Sequence, residues 1–122
     1  EQFGKPVGSF QAVGQRAADA YIDVEAIRMT AYQAIWRLAE GLPATEEVRI
    51  AKFWAAEGGH RVTYAAQHLH GGIGVDQEYP LFRYFRMTRQ TELTLGGAAL
   101  HLKQLGDRIA DGSPARQARA HA

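Results

Sequence analysis

The 122-residue chain contains no cysteine, so neither a disulfide nor a thiolate metal site can be built from it. That absence suits an intracellular protein, and the cytoplasm is the expected compartment. Charge of one sign is also missing. Fourteen Lys and Arg against thirteen Asp and Glu leave a net charge of +1, which gives no electrostatic ground for a nucleic-acid partner. No apolar run approaches the ~20 residues that span a bilayer, and the opening EQFGKPVGSF has no apolar segment of signal-peptide type. Strand-like alternation, internal repeats and low-complexity blocks are all lacking.

Catalytic signatures are equally scarce. No HExxH or GxSxG is present. The two serines, Ser9 and Ser113, fall at capping or flexible positions. His68 and His70 are two apart, so on a helix they point to different faces and cannot chelate together. The Gly71-Gly72-Ile73-Gly74 stretch lacks the spacing of a dinucleotide fingerprint and follows a helix rather than a strand.

What is present is amphipathic helix. Hydrophobic residues make up 46% of the chain, enough for one modest core in one domain. Glu1 to Gly8 reads as an extended lead-in, with Ser9 as an N-cap. Phe10, Val13, Ala17, Ala20, Val24, Ile27, Ala31, Ala34 and Leu38 then recur at 3-4 spacing, the mark of one buried helix face. Arg16, Asp19, Asp23 and Arg37 lie off that stripe. Tyr21, Met29, Tyr32 and Trp36 widen it, which calls for neighbours on two sides. Gly41 ends the helix, with Pro43 beyond it.

Thr45 is the expected cap of a second helix, with Glu46 and Glu47 in its first turn. Its apolar line is Val48, Ala51, Ala55, Val62, Ala66 and Leu69. Gly58 and Gly59 in mid-helix read as a close helix crossing, because each costs about 1 kcal/mol relative to alanine. The glycine corner Gly71–Gly74 follows, and Pro80 opens a third helix from Leu81 to about Leu95. Gly96 and Gly97 interrupt the chain. A fourth helix, Ala98 to Ala110, should turn Leu102, Leu105 and Ile109 inward. The cluster Tyr79, Phe82, Arg83, Tyr84, Phe85, Arg86 and Arg89 reads as a core helix with snorkelling arginines, or alternatively as a stacking and phosphate-contacting patch. The fold class is all-α, an antiparallel four-helix bundle over 1–110, with 111–122 as a flexible tail.

Four segments then carry a resemblance. EQFGKPVGSFQAV, AIRMTAYQAIW, RIAKFWAAEG and HGGIGVDQEYPLFRYFR arrive in this order, with Lys52 nineteen residues ahead of Gly71 and Tyr79-Pro80 followed by Arg86. Together they resemble the C-terminal helical domain of acyl-CoA dehydrogenases, over Glu1 to about Ala110. Members of that family use FAD to remove a proton and a hydride from an acyl-CoA thioester, and an electron-transferring flavoprotein reoxidises the flavin. The resemblance implies that Gln2, Phe3, Phe10 and Gln11, together with His68, Gly71 and Gly72, face FAD held mainly by a neighbouring subunit. It implies a dimer or tetramer, homomeric or heteromeric. It also implies a piece of a larger protein, inactive alone, that begins after the bundle's first helix.

Three positions depart from the family pattern. His68 stands where a glutamine is usual. Leu95 stands where many members carry the catalytic glutamate, and leucine cannot accept a proton. Gly97 replaces a threonine that helps hold the flavin dinucleotide. Nearby Glu92 is expected to be a solvated helix residue. Either the base lies on the preceding helix, or a sister subunit supplies base and FAD while this chain completes the pocket; the double loss favours the sister subunit. A non-catalytic helical oligomerisation module is the rival function. Acyl chain length stays open between fatty, branched and sterol side-chain thioesters.

Overall fold

A computed structural model describes residues 1–112. Four helices form an all-α bundle: α1 (Gln11–Ala39), α2 (Thr45–His70), α3 (Leu81–Leu93) and α4 (Ala98–Asp111), with 3-10 turns at Val7–Ser9 and Gly71–Val75. The tail from residue 113 on, with Ser113, Arg116, Arg119 and His121, lies outside the described residues.

α2 is the axis on which the other three helices pack. α1 runs antiparallel to it. Ile27 meets Gly58, and Asp23 meets Arg61 one turn further on. α3 and α4 together form a second line antiparallel to α2, broken at Thr94–Gly97. Phe85 packs edge-on to Tyr64, Thr88 faces Gly59, Gln104 bonds Arg49, and Arg108 pairs with Glu46. The paired glycines follow from this layout. Adjacent helix positions are about 100° apart, so Gly58 serves the α1 crossing and Gly59 the α3 crossing. A Cβ on Gly58 would stand 3.3 Å from Ile27 side-chain carbons, and one on Gly59 would stand 3.1 Å from Thr88 Cγ2.

The core is thin. Among the described residues the buried apolar side chains are Ala34, Ala44 and Ala56. Small residues at the seams let the helices approach closely, and larger side chains spread to the edges.

Several local expectations are corrected. The lead-in is not extended: Gln2 and Lys5 exchange backbone hydrogen bonds of 2.9 and 3.1 Å across a tight turn, and Val7–Ser9 is a 3-10 turn. Ser9 is not the cap of α1. Its hydroxyl donates back to the Pro6 carbonyl (2.8 Å), and Phe10 holds the N-cap position without a side-chain bond. Thr45 is the first residue of α2, and Ala44 is its N-cap. α1 ends as its glycine predicts. Gly41 adopts φ +67°, the Leu42 N–H reaches the Arg37 carbonyl, and the Gly41 N–H reaches that of Leu38, a Schellman closure. α3 stops at Leu93, two residues short of the expected end.

The buried stripe of α1 is turned from the expected one. Ala17, Val24 and Leu38 face outward, while Asp23 is 8% exposed and faces α2. The cause is Arg61, whose forked guanidinium grips both Asp23 carboxylate oxygens at 2.9 and 2.5 Å. Arg37 also turns toward α2, pairing with Glu47 at 3.2 Å and donating to the Pro43 carbonyl at 2.7 Å. On α4, Leu105 is partly covered, but Leu102 and Ile109 are exposed. His101, Gln104 and Leu105 make up the half-buried side. Val48 on α2 is likewise largely exposed.

Candidate functional site

Two glycines of the corner, Gly71 and Gly74, are required for different physical reasons. Gly71 caps α2 at φ +61°, ψ −141°, a conformation that L-residues rarely enter. Gly74 is buried, and a Cβ there would lie 2.5 Å from the Gln67 carbonyl oxygen. Gly74 therefore lets the 3-10 turn lie directly on the last turns of α2. Gly72 is exposed, with open space where a Cβ would be. Among the described residues nothing requires glycine at 72, and the residue is open to solvent. Asp76 closes the corner by accepting the Glu78 N–H at 2.9 Å.

The lead-in is a second exposed element. Phe3 and Gly4 both have positive φ, +55° and +71°, so Gln2–Lys5 is a two-residue turn of the type I′ kind. That conformation is unfavourable for a bulky residue, yet Phe3 sits at its tip, 93% exposed. Its ring lies 6.5 Å from Phe10, edge to face.

The α1–α2 register brings both elements to one end of the bundle. Each step down α1 from Asp23 matches a step up α2 from Arg61. Arg16 thus stands level with His68, and the start of α1 at Phe10 and Gln11 stands level with the glycine corner. An open groove of about 1220 Å³ runs between the N-terminal half of α1 and the C-terminal half of α2. Arg16, His60, His68 and Gly71 are on its walls, over the Asp23–Arg61 pair. Of the seven expected flavin-facing residues, His68 and Gly71 line this groove. Gln2, Phe3, Phe10, Gln11 and Gly72 lie outside its lining.

Two polar clusters escaped the sequence reading. Arg61 is bound by Asp23, also pairs with Glu57 at 3.1 Å, and lies 5.7 Å above the Trp54 ring. The Asp23 hydrogen bonds hold the guanidinium above its ordinary pKa. The second cluster joins α2 to α3. Arg89 Nη1 donates to His60 Nδ1 (2.7 Å) and to Glu92 Oε2, and that carboxylate oxygen lies 3.1 Å from His60 Nδ1. His60 stacks on Tyr64 at 4.4 Å. Glu92 is therefore not a solvated helix residue; its side chain is 17% exposed. The available signal was an acid three positions from an arginine on a helix that also needs partners across a seam.

Lys52 has a structural task. Its Nζ donates to the Thr91 and Glu92 carbonyls, both at 3.0 Å, supplying a cation and donors to the C-terminal end of α3. Burial lowers its pKa, partly opposed by the Glu92 charge.

Leu95 lies just past this cap at φ +61° and 85% exposed. Its carbonyl accepts from His101 Nε2 at 3.0 Å. Left-handed backbone costs an L-residue roughly 1–2 kcal/mol, and so exposed a side chain recovers little by packing. Leu95→Gly should stabilise the chain by roughly 0.5–1 kcal/mol after the added unfolded-state entropy is subtracted. A rise of a few degrees in the thermal midpoint would register it; a fall would show that the leucine packs favourably.

Among the described residues, no group of three or more His, Asp or Glu could hold a metal ion, and no helix is long and apolar enough to cross a membrane.

Comparison with known proteins fits this arrangement. Residues 1–110 match the profile of the acyl-CoA dehydrogenase C-terminal domain. Acyl-CoA dehydrogenase FadE27 of Mycobacterium tuberculosis is 51% identical over 119 residues, covering 91% of this chain and 32% of that protein. The ChsE4–ChsE5 complex, also from M. tuberculosis, superposes with a TM-score of 0.88 at 54% identity, over 93% of this chain and 31% of the other. A G363A variant of the Tcur3481–Tcur3483 steroid acyl-CoA dehydrogenase gives 0.87 at 50% identity, over 92% and 31%. Two further solved structures with this fold contain FAD. The chain spans about a third of the length of the relatives it matches. By the extent of the profile match and the identity of these relatives, the chain belongs to the acyl-CoA dehydrogenase family, with residues 1–110 as the family's C-terminal domain.

Proposed function

We propose that this chain is the C-terminal part of an FAD-dependent acyl-CoA dehydrogenase subunit that works beside a sister subunit and completes the sister's flavin site. The observation that carries this reading is Leu95. The family's position for a proton-abstracting glutamate holds an exposed leucine, and the nearest acid in sequence, Glu92, is paired with Arg89. A chain with no free carboxylate there contributes shape and binding groups rather than the base.

The candidate edge suits that role. FAD, when bound, takes the hydride from the β carbon of the thioester. Phe3 and Phe10 offer an exposed aromatic pair, and Gly71-Gly72 offers a backbone that a diphosphate can approach closely. Gln2 and Gln11 sit at the same end and carry neutral donors and acceptors. His68 and Arg16 have no hydrogen-bond or ion-pair partner among the described residues, and both face the groove. These groups bind and orient a cofactor; none is placed to move the α proton. Electron-transferring flavoprotein would take the electrons onward. Relatives named as a two-component complex and as a steroid acyl-CoA dehydrogenase favour a heteromer and a steroid thioester substrate.

The test is to purify the full-length protein alone and together with its genomic neighbour. The co-purified pair should be yellow, with flavin absorbance near one per two subunits, and should oxidise a steroid acyl-CoA. The lone protein should hold little flavin and turn nothing over. Full flavin loading with turnover by the lone protein would refute the shared site.

A further inference from the structure

His60 belongs to two places at once. It lines the open groove beside α1, and its Nδ1 sits in the seam against α3. Two neighbours compete for that nitrogen. Arg89 Nη1 stands 2.7 Å away and Glu92 Oε2 stands 3.1 Å away. Their demands are opposite. A guanidinium has donors only and stays charged in proteins, so it needs a bare lone pair on the nitrogen. An ionised carboxylate has acceptors only, so it needs a proton there. The shorter contact is the guanidinium's. Arg89 also bonds Glu92, so the carboxylate draws its hydrogen bond from the arginine rather than from the ring. Nδ1 is therefore bare, and a neutral imidazole with a bare Nδ1 carries its one proton on Nε2.

The surroundings hold the ring in this setting. It stacks on Tyr64 with centroids 4.4 Å apart and planes 25° apart, and Tyr64 meets Phe85 of α3 edge-on. Stacking fixes the plane of the imidazole. The Arg89 bond fixes which way round it lies, since the reversed ring would set a carbon against the guanidinium. Nε2 has no hydrogen-bond partner among the described residues, and the side chain is 38% exposed. With Nδ1 in the seam, the polar atom left for the groove is Nε2.

We infer that Arg89 is a positioning residue: by keeping His60 Nδ1 bare, it makes the ring a hydrogen-bond donor, through Nε2–H, to an acceptor oxygen in the groove. An arginine on α3, outside the groove lining, thus sets the polarity of a groove wall made by α2. The choice of oxygen rests on the shared-site reading. His68 and Gly71 line the same groove, and a flavin dinucleotide carries acceptor oxygens along its whole length. The tautomer itself follows from the seam and does not depend on that reading.

Nitrogen NMR of the full-length protein, in the assembly it forms and labelled only at histidine, reads the tautomer. The His60 signals are those that vanish in His60→Gln. With the ring neutral, the wild type should show a bare Nδ1 and a protonated Nε2. Arg89→Met removes the donor and leaves Glu92, which should draw the proton onto Nδ1. Glu92→Gln disturbs the same seam but keeps the donor, so Nδ1 should stay bare. Flavin affinity should follow the tautomer rather than the seam. It should fall about tenfold in Arg89→Met, as expected for a lost hydrogen bond to a charged or strongly polar group, and stay within about twofold of the parent in Glu92→Gln. A protonated Nδ1 in the wild type would overturn the proposal, whether or not Arg89→Met folds. So would an Nδ1 that stays bare in Arg89→Met. A changed tautomer with unchanged flavin affinity would overturn the flavin as the source of the oxygen. The shared-site reading fails by a different measurement, flavin loading with turnover by the lone protein, so the two failures are told apart.

Discussion

Gly59→Leu should cost the chain about 3 kcal/mol or more, read as a large drop in urea midpoint. The Cβ alone would sit 3.1 Å from Thr88 Cγ2. Thr88 is β-branched and stiff at χ1, so it yields little, and the rest of a leucine side chain has no space to enter. α3 must lift off α2. The Arg89–Glu92–His60 cluster, the Tyr64–Phe85 packing and the Lys52 cap all span that seam and would be lost together. Against this, leucine recovers about 1 kcal/mol of helix propensity, too little to offset the steric cost. Two smaller replacements define the series. Gly58→Ala faces the movable end of Ile27 at 3.3 Å and should be neutral or slightly stabilising. Gly59→Ala should fall near neutral, with tight contact set against propensity. If Gly59→Leu melts like the parent, the close crossing is not what the glycine is for.

The paired glycines were legible as a crossing because nothing else explains two costly residues inside a strongly periodic helix. Which face each one served was not, since that depends on where α1 and α3 sit around α2. The same limit explains the phase error on α1. The 3-4 spacing of Val13, Ala20, Ile27 and Ala34 located the helix and its length. But Tyr21, Met29, Tyr32 and Trp36 make the opposite face equally apolar, so periodicity alone could not say which side packs on α2. The deciding element is polar: Asp23 is drawn inward by an arginine 38 residues away, a pairing that no local pattern reveals. Caps failed for a related reason. Ser9 and Thr45 are the right residue types one position from the right place: the Ser9 hydroxyl is taken by the Pro6 carbonyl, and α2 starts from Ala44 with no side-chain cap bond.

The corner and the aromatic lead-in were legible in the sequence as separate features; that they share one end of the bundle was not. The antiparallel register of α1 and α2, fixed by the Asp23–Arg61 pair, puts the start of α1 and the glycine corner at the same end of the bundle. Leu95 was legible only against the family pattern; its exposure and positive φ are properties of the folded chain that no local pattern announces. The groove between the two elements, walled by His60 and Arg61 as well as His68, had no sequence signature, because its residues come from two helices whose relative phase was misread.

The sharpest test of the corner separates two of its glycines. Gly74→Ala should destabilise the chain by about 2–3 kcal/mol. The new Cβ would stand 2.5 Å from the Gln67 carbonyl oxygen, and backbone inside a helix cannot move aside as a side-chain tip can. The turn must lift away from α2, carrying Gly71 and Gly72 with it, so flavin should be lost from the full assembly along with stability. That result alone would not distinguish a binding corner from a structural one. Gly72→Ala does. Its φ is not in the left-handed range and its Cβ would meet nothing within the chain, so the thermal midpoint should stay within a degree or two of the parent. If the bare backbone at 72 is where a diphosphate approaches, the methyl group should weaken flavin binding in the co-purified assembly at least tenfold, or about 1.4 kcal/mol. Unchanged flavin affinity in Gly72→Ala, with Gly74→Ala failing only by unfolding, would make the corner a turn and nothing more.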